Sequence, residues 1–205
     1  MFLVSISRGT LIGKIKTRIE VNKYLSNIYD DNVAIDEIKY VAWDPFKKGD
    51  SIYSANCYDK NNSNINFIVY SIKGTLMDDY AENKWSYEIT KELDEMILEE
   101  KISTIARINL TDTLYLKYKQ YGYNIPDVFS QQNELEDVTT IHIKLEYNHK
   151  NFQEDGKIIF KILTILREKI KFKIVYFEYK DKNYSFNNDI AYKLNNLEDV
   201  YEHLN

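Results

Sequence analysis

Several side chains in this chain have the chemistry to bind a metal ion or to attack a substrate, and the clearest are two histidines. His142 and His149 are seven residues apart with Glu146 between them, and imidazole and carboxylate groups are common ligands of Zn²⁺. A zinc site needs three or four converging ligands, and the sequence supplies no further one, so the spacing favours a solvated strand face. Cys57 beside a histidine could form a thiol nucleophile with its base. Its position in a predicted strand favours instead a small buried apolar side chain.

A second candidate is the tripeptide Glu178-Tyr179-Lys180, which ends an apolar stretch. It resembles the Glu-x-Lys half of the PD-(D/E)xK nucleases, in which carboxylates hold a divalent metal and a lysine polarises the attacking water. The resemblance implies one more acidic ligand, which Asp127 or Asp155 could provide. A chain rich in Glu and Lys also contains this tripeptide by chance. We therefore keep a metal-dependent nuclease as a third alternative and expect no bound metal.

Four elements that could position such residues follow one another between residues 85 and 147. Apolar side chains recur at helical spacing over residues 85–97, which predicts a helix with one buried face. Residues 102–110 lack that spacing and predict a strand. A second helix then ends at Gly122, because glycine takes the left-handed C-terminal conformation without steric cost. Alternation of apolar and polar side chains over residues 141–147 predicts the next strand.

This order of elements resembles that of the Gcn5-related N-acetyltransferases over residues 1–147. The stretch Tyr118-Lys119-Gln120-Tyr121-Gly122-Tyr123 looks like the Tyr-x-x-x-Gly-Phe ending of the family's fourth helix. The resemblance implies that Tyr118 protonates the departing coenzyme A thiolate, as a general acid, and that Asn109 lies near the pantetheine arm of the cofactor. These are the candidate residues of an acyltransferase alternative.

One element of that family is missing from the sequence. The family places Gln/Arg-x-x-Gly-x-Gly/Ala at the start of its long helix, where backbone amides cradle a pyrophosphate. The corresponding residues 80–86 contain no glycine and have acidic neighbours, which oppose a diphosphate. We therefore expect no acetyl-CoA and no other cofactor to bind.

The remaining segments complete the predicted architecture. Strands are predicted over residues 1–8, 38–43, 52–58, 66–72 and 172–179. Helices are predicted over residues 21–28, 158–166 and 190–204, and Asn188 is expected to cap the last of them. A turn is predicted within residues 5–14 and an acidic loop over residues 74–83. The order β-α-β-β-β-α-β-α-β-α-β-α predicts an α/β (α+β) fold with a mixed, mostly antiparallel central sheet flanked by helices. We expect one domain, in which residues 1–147 form a core and residues 148–205 form an α-β-α extension packed on it.

Composition limits the classes of function. The 205 residues include one cysteine and carry a formal net charge of −5 at a pI near 5.3. One cysteine forms no internal disulfide and fits a cytoplasmic protein, and no apolar run approaches the roughly 20 residues of a membrane span. An acidic chain lacks the clustered basic charge that phosphate backbones attract. We therefore expect neither a membrane nor a nucleic acid as partner.

The acidic loop and the tyrosine content together favour a role in binding another protein. The chain has 18 tyrosines, which bury large area at small entropic cost while keeping a polar tip. Lys outnumbers Arg, and Ile, Asn and Tyr are abundant; because all of these residues have A/T-rich codons, we expect an AT-rich bacterium, or one of its phages or plasmids, as the source. The same codon usage also raises the number of tyrosines. We expect a non-enzymatic cytoplasmic interaction protein, an inhibitor or immunity-type factor in phage–host or toxin conflict. Its predicted contact surface consists of Asp78, Asp79, Tyr80 and Glu82, and the sequence leaves the partner and the oligomeric state open.

Overall fold

The computed structural model describes residues 10–41, 48–49, 52–97 and 101–204, and the strand predicted over residues 1–8 lies outside them. The chain divides into two compact units: unit 1 is Met1–Lys84 with Tyr115–Ile125, and unit 2 is Trp85–Leu114 with Pro126–Asn205. Among the described helices, none is long and apolar enough to cross a membrane.

The described residues form seven α-helices and eight strands. They are α1 (Leu11–Tyr29), β1 (Val33–Tyr40), β2 (Tyr53–Asp59), β3 (Asn66–Ile72), β4 (Thr75–Asp78), α2 (Tyr80–Met96), β5 (Ile102–Ile108), α3 (Asp112–Lys119), α4 (Gln132–Leu135), β6 (Thr139–Leu145), α5 (Phe152–Lys169), β7 (Ile174–Glu178), β8 (Asn183–Asn187), α6 (Asn188–Ala191) and α7 (Leu197–Leu204). Short 3₁₀ turns lie over Gly122–Asn124, Val128–Ser130 and Glu136–Val138. The α+β class with mostly antiparallel strands is confirmed, and the strands form two four-stranded sheets where the sequence predicted one.

Unit 1 is built on an antiparallel sheet in the order β1-β2-β3-β4, on which α1 packs. Val21, Leu25 and Tyr29 of α1 are buried at a spacing of four residues, which keeps them on one side of the helix. The ring of Tyr29 lies 5.9 Å from that of Phe67, a buried residue of β3. The predicted meander of three antiparallel strands, β1 to β3, is confirmed.

Several elements of unit 1 differ from the prediction. The strand predicted from residue 38 begins at Val33, and the helix predicted to end at Gly122 ends at Lys119, before a 3₁₀ turn that starts at Gly122. Residues 74–83 are not a loop, because β3 turns through Lys73 and Gly74 into β4, and α2 then begins at Tyr80. Both turn residues have positive φ, 49° and 79°, as a two-residue hairpin of type I′ requires. Lysine is an unusual residue at such a position, so the turn carries no strong sequence signal. The predicted turn at residues 11–14 is also wrong, since α1 starts at Leu11, capped by the Thr10 hydroxyl.

Unit 2 contains the second sheet, in the order β5-β6-β7-β8. β5 and β6 are antiparallel, α5 connects β6 to the parallel strand β7, and β8 returns antiparallel. Apolar residues of α5 and the sheet form the core: Ile141, Ile143, Leu145, Ile159, Leu163, Leu166, Val175 and Phe177 are buried. The pairing of β6 with β7 crosses residue 147, so the segment after that residue shares the core of unit 2.

The end of the chain folds in two pieces where the sequence predicted one helix over residues 190–204. α6 is a single turn capped by Asn187, not Asn188. The chain then leaves helical geometry, and the Asp199 carboxylate accepts hydrogen bonds from the N–H groups of Asn195 and Asn196. These bonds fix the start of α7, so an asparagine-rich segment interrupts a continuous apolar pattern.

The open edge of the second sheet is closed by side chains of α2. The N–H groups of Ile108, Ala106 and Thr104 on β5 donate to Ser86 Oγ at 3.0 Å, Thr90 Oγ1 at 2.9 Å and Asp94 Oδ1 at 3.1 Å. Four helix residues rise about 6 Å and two strand residues about 6.6 Å. The acceptors on α2 and the N–H donors on β5 therefore have nearly the same spacing. Edge strands otherwise offer unpaired N–H groups to other chains, and this ladder of hydrogen bonds satisfies three N–H groups of β5.

Replacement of Thr90 by valine tests the ladder. Valine keeps the shape of threonine but removes the acceptor of the Ala106 N–H, and Ala106 is buried. We expect a loss of about 1–3 kcal/mol in the free energy of unfolding, the cost of an unsatisfied buried donor. Urea unfolding followed by circular dichroism measures it. The control is Thr113→Val on exposed α3, for which we expect less than about 0.5 kcal/mol; equal effects of the two substitutions would contradict the ladder.

Candidate functional site

The predicted metal-ligating and nuclease residues are held in separate structural contacts. His142 Nδ1 lies 2.5 Å from Glu178 Oε1, and His149 Nδ1 lies 2.9 Å from Asp181 Oδ2, so each histidine pairs with a different carboxylate. Lys180 is exposed. The part of the chain that the structure describes contains no group of three or more His, Cys, Asp or Glu side chains that could hold a metal ion.

The acidic residues proposed to complete a nuclease site have roles of their own. Asp127 accepts a hydrogen bond from the Phe129 N–H and starts a 3₁₀ turn. Asp155 is fully buried in the first turn of α5, where it accepts from the Lys150 N–H. Cys57 is buried in β2, and burial raises the pKa of its thiol to about 12, which keeps it protonated and unreactive near neutral pH.

The residues carried over from the N-acetyltransferase resemblance lie in different units. Tyr118 is in unit 1, is 1% exposed and packs against the ring of Tyr121. Asn109 is in unit 2, is exposed, and follows β5. Gly122 ends the Tyr-rich segment with φ +53°, and a Cβ atom there would lie 2.1 Å from the Ile28 carbonyl oxygen of α1. Glycine is therefore required at this position by the packing of unit 1 itself.

The acidic segment predicted to be an exposed contact surface is buried instead. Asp78 and Asp79 are 3% and 6% exposed, and Tyr80 is 0% exposed. Glu82 is half-buried and lies 3.6 Å from the Lys48 ammonium, which also contacts Asp79 at 2.6 Å. The prediction of an exposed loop is wrong because these residues end β4 and begin α2. There the carboxylates of Asp78 and Asp79 accept hydrogen bonds from tyrosine hydroxyls and backbone N–H groups.

Asp78 is the centre of this arrangement. Its two carboxylate oxygens accept hydrogen bonds from the hydroxyls of Tyr24 at 2.5 Å and Tyr29 at 2.7 Å, and from the Tyr80 N–H at 3.0 Å. Tyr115 accepts a bond of 3.2 Å from the Asp78 N–H. One side chain therefore joins the end of α1, the end of β4 and the first turn of α2.

The chemistry of this cluster follows from its burial. Burial raises the pKa of Asp78 above its usual value, although the hydrogen bonds from Tyr24 and Tyr29 oppose the shift. Burial and the nearby Asp78 also raise the pKa of both phenols. Lys119 approaches from α3 and donates to the Leu76 carbonyl at 3.0 Å, and burial lowers its pKa. Both Asp78 oxygens are already engaged, so this arrangement fixes elements of the fold.

Asp59 forms a second buried centre beside the first. Its carboxylate accepts from the Tyr80 hydroxyl at 2.8 Å, the Asn61 N–H at 2.8 Å and the Tyr123 hydroxyl at 3.3 Å. The Tyr80 ring lies edge-on to Tyr29 at 4.9 Å. Tyr80 therefore connects the two carboxylates through its N–H and its hydroxyl. In this part of unit 1, tyrosine hydroxyls therefore donate hydrogen bonds to the buried carboxylates of Asp59 and Asp78.

The exposed surface of unit 1 has a different candidate, the outward face of α1, which consists of Leu11, Ile12, Ile15 and Ile19. These side chains are 75%, 80%, 51% and 64% exposed. Over the same length of helix, Gly13, Lys16, Thr17 and Glu20 line a cleft. An α-helix that is apolar on the side turned away from its own sheet leaves hydrophobic area uncovered. The sequence signal is the four-residue spacing of Leu11, Ile15 and Ile19, which lies just before the helix predicted over residues 21–28.

The cleft beneath the first half of α1, which we name the α1 cleft, has a volume of about 590 Å³. Val21 of α1, Val69 of β3 and Leu76 of β4 give it apolar walls, and Lys16 and Glu20 lie on the side of the helix. Tyr53 stands at one end, where its hydroxyl accepts a 2.9 Å bond from the Thr10 N–H. The outward face and the α1 cleft therefore expose the first half of α1 on two sides.

Comparison of the chain with protein-family models, with curated proteins and with solved structures finds no match. Inference about function therefore depends on the chemistry of the chain itself.

The pKa of Asp78 gives a testable dependence on pH. Because the pKa is raised in the folded state, folding takes up a proton between the ordinary value of 3.8 and the raised one, and stability contributed by this group falls as pH rises through that window. We expect the free energy of unfolding of the wild type, relative to Asp78→Asn, to fall as pH rises above the ordinary value of 3.8. Urea unfolding at each pH measures both proteins.

The control for this experiment is Asp36→Asn, an exposed residue of β1. Its stability relative to the wild type should change far less over the same range of pH. Parallel pH profiles for the wild type and Asp78→Asn would contradict the assigned shift.

Proposed function

We propose that the protein is a non-enzymatic cytoplasmic binding protein that docks another protein on the outward face of α1. The observation that carries the proposal is the exposure of four large aliphatic side chains on one helix, each more than half accessible to solvent. Single exposed apolar residues are common on protein surfaces, whereas a contiguous group bordered by polar residues is typical of an interaction site.

The size of the group is sufficient to contribute to association. Complete burial of one Leu or Ile side chain is worth about 1.5–3 kcal/mol, and the four are between half and four-fifths exposed. Covering them would provide on the order of 5 kcal/mol before the cost of association is subtracted. This is a useful part of a micromolar interface, which requires about 8 kcal/mol in total.

The charge of α1 indicates the kind of partner. The helix carries Lys14, Lys16, Arg18 and Lys23 against Glu20, a net charge of +3 in a chain of net charge −5. A second copy of the same helix would bring like charges together, which is unfavourable. A partner that surrounds an apolar ridge with Asp and Glu side chains would be complementary. We commit to such an acidic protein as the occupant.

This proposal replaces the acidic contact surface expected from sequence with a basic and apolar one. The biological setting that we propose is unchanged: an inhibitor or immunity-type factor in phage–host or toxin conflict, in which small proteins act by covering a surface of another protein. The abundance of Lys, Ile, Asn and Tyr, whose codons are A/T-rich, supports an AT-rich bacterium or one of its phages or plasmids as the source.

Replacement of Leu11, Ile15 and Ile19 together by glutamine tests the docking surface. These side chains are exposed, so we expect the variant to fold with a melting temperature close to that of the wild type. We expect its affinity for the partner to fall at least about 100-fold, since apolar anchors near the centre of an interface are each worth about 2 kcal/mol. Titration calorimetry with the purified partner measures the change.

The matched control is Leu116→Gln, because Leu116 is 67% exposed on α3 and belongs to the same unit. It should bind like the wild type. Undiminished affinity of the triple variant would remove the outward face from the interface. Two further measurements on the free protein complete the test. If light scattering shows a dimer that the triple variant does not form, the occupant is a second copy of the chain. If the wild type floats with anionic vesicles and the triple variant does not, the occupant is a lipid surface.

The charges of α1 provide a separate kinetic prediction. Lys14→Gln combined with Arg18→Gln should slow association roughly tenfold at low salt and little at high salt, because screening removes the attraction that steers encounter. Stopped-flow mixing measures the rates. Lys144→Gln combined with Lys157→Gln, both exposed in unit 2, changes the net charge equally and serves as control. Identical rates for the two double variants would contradict an acidic partner at α1.

A Gcn5-related N-acyltransferase, or an inactive relative, is the second candidate function. It is supported by the sequence of α2, β5, α3 and β6 and by the segment that ends at Gly122. It is opposed by the start of α2, where the carboxylate of Asp78 already accepts the Tyr80 N–H, and where a pyrophosphate would require free amides and no acidic neighbours. The metal-dependent nuclease is third, and the pairing of Glu178 with His142 opposes it.

Calorimetric titration with acetyl-CoA separates the first two candidates. We expect no binding at micromolar concentrations, because Asp78 and Asp79 occupy the start of α2. Micromolar binding would overturn this expectation and support the acyltransferase. In that event Tyr118→Phe should lower turnover more than affinity, because the role assigned to its hydroxyl is proton donation in the transition state.

A further inference from the structure

The α1 cleft is a feature with fixed supports at both ends. At one end Tyr53 contacts the start of α1: its hydroxyl bonds to the Thr10 N–H, and a Cβ atom at Gly13 would lie 2.3 Å from that hydroxyl oxygen. At the other end Val21 and Leu25 are buried on the sheet. The helix therefore spans an open space of about 590 Å³ instead of packing along its whole length. A pocket whose walls are held in place loses little entropy when it is filled.

The walls of the cleft are suited to an apolar group with a polar tip. Val69 is buried at its floor, with Val21 and Leu76 beside it, whereas Thr17 and Ser71 present hydroxyls at half-buried positions. Its volume is within the range of about 300–1,000 Å³ of pockets that hold ligands. Tyr and Trp combine a large apolar ring with one hydrogen-bonding atom, and they dominate the anchors of protein interfaces.

Of the residues that the structure describes, one cation and one anion line the cleft. Lys16 and Glu20 are on its helical side, 3.9 Å apart and exposed, so their mutual attraction is weak in water. Lys14 and Arg18 add positive charge on the same stretch of helix. The cleft lining is therefore balanced in charge, and the net positive charge that favours acidic residues next to the entering side chain belongs to the rest of α1.

We propose that the α1 cleft receives one aromatic side chain, Trp or Tyr, of the acidic partner that covers the outward face of α1. The inference rests on the proposed function and adds a source of specificity. The partner contacts the first half of α1 both on its outward face and in the cleft. The hydrophobic outward face provides area, and the cleft selects an aromatic residue flanked by Asp or Glu.

The test uses N-acetyl-tryptophanamide as a probe, followed by ¹H–¹⁵N correlation spectra of the full chain. We expect saturable shifts confined to α1, β3 and β4. Thr17→Phe and Ser71→Phe fill the cleft from opposite walls and should each weaken probe binding at least tenfold, whereas Thr113→Phe, on exposed α3, should not. Absence of saturable shifts up to the solubility limit, shifts elsewhere, or equal binding by the filled variants would overturn the inference.

Partner binding then separates this inference from the proposed function. If the filled variants bind the partner as the wild type does while the outward-face triple variant does not, the cleft is not the anchor site and the docking surface remains. If the triple variant binds normally, the proposed function fails whatever the probe does. We expect both kinds of variant to lose affinity, and a partner segment in which Trp or Tyr is replaced by Ala to lose it equally.

Discussion

A buried carboxyl group, that of Asp78, determines how unit 1 is assembled. Removing a carboxylate from water is costly unless its oxygens receive hydrogen bonds, and here the donors come from Tyr24, Tyr29 and the Tyr80 N–H. Two of the donors belong to the second half of α1, so the requirement to satisfy one acid fixes that half of the helix beside β4. The first half receives no such constraint. It extends from this attachment with its outward face exposed and with the α1 cleft beneath it.

Periodicity in the sequence predicted the elements whose burial is decided locally. Trp85, Ile89 and Leu93 recur every four residues and are buried on α2, and Ile141, Ile143 and Leu145 alternate and are buried on β6. In these segments the pattern of apolar side chains and the packing of the folded chain carry the same information.

The acidic segment could not be predicted in this way, because its partners are distant in sequence. The residues around Asp78 and Asp79 predict a charged loop, yet the tyrosines that donate hydrogen bonds to Asp78 lie 54 and 49 residues earlier. Sequence alone gives no reason to connect them. The same limit applies to the first half of α1: its apolar residues show helical spacing, but whether they face a core or solvent depends on where the sheet lies. Tyr53 of β2, which contacts the start of the helix, is 43 residues from Thr10 in the sequence.

Site-specific photo-crosslinking tests the proposed docking role of the outward face of α1 most directly. A benzophenone side chain placed at Ile15, and in a parallel protein at Leu116, is activated in the native cells. We predict a discrete adduct at position 15 whose second component is an acidic protein, and no adduct at position 116, although both residues are exposed. The same adducts at both positions, or none at position 15, would contradict the claim that the outward face of α1 is a docking surface.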